Sequence, residues 1–158
     1  MADQGLDKEK LYLDDLVAGH RFFSGTHRLD EAQIIEFAAA YDPQPFHLDD
    51  AAAKATLFGG LAASGWHTAA ITTKLLLQGG APIAGGLIGA GGEINWLKPV
   101  RPGDVLRVVV EVLKVVPSRS KPHQGIVTLR CETLNQNDET VQVFTNKLVV
   151  PRRPAERS

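Results

Sequence analysis

Ser64-Gly65-Trp66-His67-Thr68-Ala69-Ala70-Ile71-Thr72-Thr73-Lys74-Leu75-Leu76-Leu77-Gln78-Gly79-Gly80 reads as a helix with almost no polar face. Ser64 stands where a cap is needed, and Gly79-Gly80 where the helix must stop. Between them Trp66, Ala69, Ala70, Ile71, Leu75, Leu76 and Leu77 point in nearly every direction. A helix that is apolar nearly all round has to be surrounded by protein. It is shorter than the ~20 apolar residues a membrane span takes and it contains Lys74, so it belongs in a protein interior.

The material to surround it follows directly. Four strand-like segments run at about Leu87–Leu97, Asp104–Val116, Gln124–Leu134 and Glu139–Val150. In the third, Val127, Leu129, Cys131 and Thr133 alternate with Thr128, Arg130 and Glu132, the period of two of a strand covered on one face. Asn135-Gln136-Asn137-Asp138 supplies a hairpin turn to the last strand. A twisted antiparallel sheet curling around one helix satisfies both patterns. The fold class expected is therefore α+β. Its open face and sheet edge invite a second copy, so a homodimer is expected.

Upstream, His20–Arg28 reads as a short strand. Asp30 then caps a helix, with Gln33 reaching back, whose apolar face is Ile34, Phe37, Ala38 and Tyr41. That helix stops before Asp42-Pro43-Gln44-Pro45-Phe46-His47. The two prolines predict an extended, stiff, non-helical connection that sets a carboxylate and an imidazole five positions apart. A stiff loop on rigid elements can hold an acid and a base at one reacting centre. Asp49-Asp50 then opens a short helical piece, Ala51–Ala55, and Phe58-Gly59-Gly60 a flexible turn.

The 158 residues form a single domain, 1–158, in which 1–10 and 151–158 read as flexible tails. A chain of this size buries roughly 70 % of its unfolded surface and needs no staples. A formal charge of -1 provides no field for nucleic acid, and Met1–Lys10 lacks the apolar stretch of a signal peptide or anchor. The one cysteine, Cys131, reads as a small buried hydrophobe, which together with the rest fits a cytoplasmic protein.

Several suggestive patterns fail. The glycine-rich stretch Gly79–Gly92 contains no G-x-G-x-x-G and leads into a strand. Ser64-Gly65 lacks the glycines of a nucleophile elbow, which leaves Ser64 as a helix cap. Asp42, His47, Asp49 and Asp50 have none of the spacings of a metal site, so no metal is expected. His20, His27, His67 and His123 each stand alone. Asp42 and His47 remain as the candidate chemical pair, against the plain alternative of an Asx-type turn beside an idle histidine.

Asp42–His47, preceded by Phe37–Tyr41, resembles the D-x-N-P-x-H segment of the MaoC-like dehydratases, which include the (R)-specific enoyl-CoA hydratases. The likeness continues through Phe58-Gly59, Ala63–His67 and Lys98-Pro99-Val100-Arg101-Pro102-Gly103-Asp104, covering most of Phe22–Val150. The resemblance implies a hot-dog fold, usually dimeric, with Asp42 and His47 catalytic. It implies that the Gly65 N–H holds a thioester oxygen, that Ser64 and Trp66 flank the substrate, and that Thr73 stands where relatives carry a pocket serine. Gln44 replaces the usual asparagine and Ser64 a frequent histidine, changes that bear on loop orientation and substrate choice.

The implied activity is hydration or dehydration of an enoyl/3-hydroxyacyl-CoA thioester, without a cofactor other than the coenzyme A of the substrate. Lys98 or Arg101 is expected to meet its phosphates, with neither nucleic acid nor membrane as partner. The alternatives are a hot-dog acyl-CoA thioesterase and a non-catalytic acyl-CoA-binding subunit.

Overall fold

Alternating β-branched residues build one antiparallel sheet. In a computed structural model, which describes residues 9–155, its strands are β1 (Arg21–Arg28), β2 (Ile88–Trp96), β3 (Val105–Pro117), β4 (Gln124–Leu134) and β5 (Thr140–Pro151). Their spatial order is β1-β3-β4-β5-β2. On β4, Val127, Leu129, Cys131 and Thr133 are buried, as the alternation requires, and Leu106, Val108, Val110 and Val112 of β3 form the matching inward row. Register sets Val110 opposite Cys131 and Cys131 opposite Phe144. Burial pushes the Cys131 thiol up to about 12, so it stays protonated at neutral pH. The hairpin turn places Asp138 at φ 59, and Asn135 Oδ1 accepts from the N–H groups of Asn137 and Glu139.

Among the described residues a 3-10 turn, Leu13–Asp15, and three α-helical segments precede the long helix: α1 (Glu31–Tyr41), α2 (Pro45–Leu48) and α3 (Asp50–Lys54). Asp30 caps α1 by accepting from the Gln33 N–H at 2.9 Å. The Gln33 side chain does not reach back as expected. It pairs instead with His27 Nε2 and the Arg28 carbonyl. The apolar face of α1 is also narrower than its periodicity suggests. Ile34 and Ala38 are buried, whereas Tyr41, in the last turn, is 76 % exposed and leans on Phe37.

The long helix, α4 (Gly65–Leu75), continues into a π-turn, Leu76–Gly80, that ends with Gly79 at φ 120, a conformation open to glycine. Its sheet-facing side, including Thr68, Ile71, Thr72 and Leu75, packs on the core. The expectation of a fully surrounded helix fails within this chain. The sheet wraps one side, and the stripe Trp66, Ala70, Thr73 and Leu77 stays open, with Trp66 59 % exposed.

Residues 151–153, part of the stretch expected to be a tail, make defined contacts. Pro151 is the last residue of β5, Arg152 is held by Asp14, and Arg153 pairs with Asp15 and covers the Tyr12 ring. Residues 1–8 and 156–158 lie outside the described region. No helix among the described residues is long and apolar enough to cross a membrane.

Candidate active site

Three element ends converge on one point. Asp42 closes α1, its N–H donating to the Ala38 carbonyl at 2.8 Å. His47 lies on α2, and Ser64 caps α4. The prolines do not exclude helix here, as the sequence reading assumed. Pro45 takes the first helical position, where its fixed φ suits the turn and no N–H is needed. That single turn carries His47 inward, leaving it 4 % exposed.

Hydrogen bonding orients both groups. His47 Nδ1 lies 2.6 Å from the Ala62 carbonyl oxygen, which can only accept, so Nδ1 carries the proton. In the neutral ring Nε2 is then the acceptor nitrogen, and it faces Asp42 Oδ2 at 3.4 Å. Ser64 Oγ donates to that same Oδ2 at 2.7 Å while accepting from the Trp66 N–H at 3.2 Å. Gln44 Nε2 donates to the other carboxylate oxygen at 2.5 Å. Desolvation pushes the Asp42 carboxyl up, but the Ser64 and Gln44 hydrogen bonds outweigh it, helped by His47 when that ring is charged, and hold the group below the usual carboxylate range.

Replacing Ser64 by Ala removes one of those donors and the helix cap together. Its expected results are a loss of about 0.5–2 kcal/mol in stability and a higher Asp42 pKa. Activity that needs ionised Asp42 should then lose its acidic limb at higher pH than wild type, which a pH–rate profile measures.

A cleft of about 340 Å³ opens onto the pair, lined also by Phe58, Gly65, Trp66 and Trp96. The Gly65 N–H opens α4, where the first donors have no intrahelical partner and the dipole favours negative charge. Packing requires glycine at 65: a Cβ there would lie 2.5 Å from Trp96 Cε2. Ser64 is fully buried beneath the cleft. Thr73 is not brought to it; it lines a second hollow at the other end of α4.

Other expectations are redirected. The Arg101 guanidinium is occupied by the carbonyls of Phe58, Gly60 and Leu61, which pins the segment leading to Ala62. Lys98 sits on the cleft wall, paired with Glu139. Asp49 accepts from the Ala51 N–H and Asp50 from the Leu61 N–H, so both carboxylates serve the backbone. Sequence reasoning missed Trp96 and the Ala62 carbonyl, and nothing local marks either one. The lone histidine His67 faces away from the pair and stacks on Phe37 at 4.4 Å.

His67 has a consequence for stability. It is 8 % exposed, its Nδ1 has no partner, and burial, aided by His27, lowers its pKa to about 4. The unfolded chain takes up this proton near pH 6.5, so the neutral ring stabilises the fold fully above that pH and progressively less as pH falls toward 4. The loss should reach about 3 kcal/mol at the acidic end. Urea midpoints at pH 7 and 4.5 should differ less in His67→Phe than in wild type.

The family model described as MaoC like domain matches residues 17–134. The fold is similar to that of the MaoC-like dehydratase from Rhodospirillum rubrum, with TM-score 0.90 and 56% identity over 92% of this chain and 99% of that one. It is also similar to the unliganded R-hydratase PhaJ1 from Pseudomonas aeruginosa, with TM-score 0.71 and 26% identity over 94% of each chain. The 3-hydroxybutyryl-CoA dehydratase of Methylorubrum extorquens is 30% identical over 145 residues, 90% of this chain and 86% of its own. The match runs from before β1 to the end of β4 and takes in the acid, the imidazole and the helix that opens at Gly65, and by it the chain belongs to the MaoC-like dehydratase family.

Proposed function

We propose that the protein adds water to, or removes it from, an enoyl/3-hydroxyacyl thioester of coenzyme A. The observation that carries the reading is the facing of two acceptors, Asp42 Oδ2 and His47 Nε2, at 3.4 Å on the wall of a cleft that also holds Gly65. An ionised carboxylate and a bare imidazole nitrogen both need donors. A water that gives one hydrogen to each satisfies both and directs its lone pair into the cleft.

Hydration then proceeds by attack of that water on the β-carbon as its proton passes to the pair, and a proton is returned to the α-carbon from the same side. Charge collects meanwhile on the thioester oxygen, where the Gly65 N–H and the start of α4 stabilise it. Ser64 and Gln44 keep Asp42 ionised, and the Ala62 carbonyl holds the proton of the neutral imidazole on Nδ1. Trp66 and Trp96 flank the acyl group. Coenzyme A enters only as part of the substrate, and neither metal nor redox cofactor takes part.

A cytoplasmic homodimer is part of the same reading. The open stripe on α4 and the exposed edge strand β2, where Ile88 is 54 % exposed, form the surface that a second copy covers. The names of the relatives, a hydratase and two dehydratases, support the chemistry. The test is incubation with crotonyl-CoA while enoyl absorbance and free thiol are followed together. Loss of absorbance without thiol is expected. Release of thiol marks a thioesterase, and no change in either marks a binding subunit.

A further inference from the structure

Two hollows lie along α4 and share no lining residue. The catalytic cleft, about 340 Å³, sits at its first turn; the other, about 450 Å³, sits at its far end beside Thr73, Leu76 and Asn146. Gly65 and Thr73 are separated by about 12 Å of helix rise. Both hollows have α4 and β2 in their walls, so a chain extending from one toward the other would run along α4. At the catalytic end Trp96 meets Trp66 edge to face, ring centroids 5.1 Å apart.

The Trp96 indole is locked in place. Its Nε1–H is shared between the Gly65 carbonyl and Gln142 Oε1, each at 3.0 Å. Gln142 is fully buried, and its own amide donates to Thr72 Oγ1 at 3.0 Å, which pairs in turn with Thr133 Oγ1 at 2.6 Å. Swinging the ring aside would cost Gln142 Oε1 its donor. Gly65 lets the indole lie flat on the first helical turn, since any Cβ would displace it.

We propose that Trp96 is a specificity-determining residue that closes the acyl site at the first turn of α4, favouring short enoyl thioesters over long ones. The hollow at Thr73 then lies beyond the reach of the substrate. This inference rests on the hydration reading above and adds a chain-length limit to it. A rigid wall rejects added methylenes because they have no volume to enter, and one methylene alone is worth about tenfold or more in such a pocket.

The test is kcat/KM for trans-2-enoyl-CoA substrates of four, six, eight and ten carbons with wild type, Trp96→Ala and Trp96→Phe. Wild type should fall by about tenfold or more between four and eight carbons. The eight-to-four ratio should rise by about tenfold in Trp96→Ala and by less in Trp96→Phe, which keeps a ring at the site. Equal use of four and ten carbons by wild type overturns the proposal while leaving hydration intact, and that series decides the matter even where Trp96→Ala fails to fold. An unchanged ratio in a folded Trp96→Ala overturns it as well. Wild type that hydrates no chain length overturns the hydration reading itself.

Discussion

Asp42→Asn should lower hydration by about 10²–10⁴-fold, the usual worth of a positioned acid–base group, and should leave the melting temperature almost unchanged. Asparagine matches the carboxylate in shape and can still accept from Gln44, so little packing is lost. What disappears is the negative acceptor that, in the proposed mechanism, orients the attacking water together with His47 Nε2. His47→Ala should cost as much activity but is a less clean variant. The ring is 4 % exposed and holds the Ala62 carbonyl, so its removal should also destabilise by about 1–3 kcal/mol. His47→Asn is the better partner, because its amide can reach that carbonyl from roughly the place of Nδ1 while Nε2 has no replacement. Steady-state rates and thermal melts on both variants check the pair. Near-normal turnover in either one would remove it from the mechanism.

Gly65→Ala carries the second large effect, and two opposing terms decide its sign. Alanine is the better helix former by up to about 1 kcal/mol. Against this, its Cβ would sit 2.5 Å from Trp96 Cε2 and 2.8 Å from Cδ2, on a ring with no slack. Relieving that overlap means lifting the indole, which breaks its bonds to the Gly65 carbonyl and leaves Gln142 Oε1 unpaired in the core. Overpacking and the stranded acceptor together should cost about 2–4 kcal/mol, so the variant is expected to be less stable despite the propensity gain. Hydration should fall too, because the displaced first turn carries the donor proposed for the enolate oxygen. Denaturation midpoints measure the first effect and crotonyl-CoA turnover the second; a more stable variant would contradict the packing described here.

The sheet was legible because its signal is periodic and local. Alternation along Val127–Thr133 names the buried face of β4 without any knowledge of its neighbours, and Asn135–Asp138 marks its turn. The acid and imidazole were legible because Asp42-Pro43-Gln44-Pro45-Phe46-His47 is compact in sequence. Pro45 was misread because proline is a breaker inside a helix yet a favoured first residue, and only the direction of the following chain distinguishes the two. The open stripe on α4 escaped for a related reason: Trp66, Ala70 and Leu77 are apolar enough to be core, and composition does not say which side the sheet will take.

Long-range contacts were the hardest to anticipate. Trp96 meets Gly65 from β2, and Gln142 reaches the indole from β5. Arg101 was expected at phosphate, as a basic residue near a cleft suggests. Its guanidinium is a planar fork of donors and finds the carbonyls of Phe58, Gly60 and Leu61 instead. Ser64 was read as a cap, and the structure gives its hydroxyl a second bond, to the carboxylate of Asp42.

The most direct measurement is to run the reaction with crotonyl-CoA in water enriched in oxygen-18 and to locate the label by mass spectrometry. Activation of water by Asp42 and His47 predicts one heavy oxygen on the β-carbon of an intact 3-hydroxyacyl thioester. Label found instead in a free carboxylate, alongside released coenzyme A, would contradict that account.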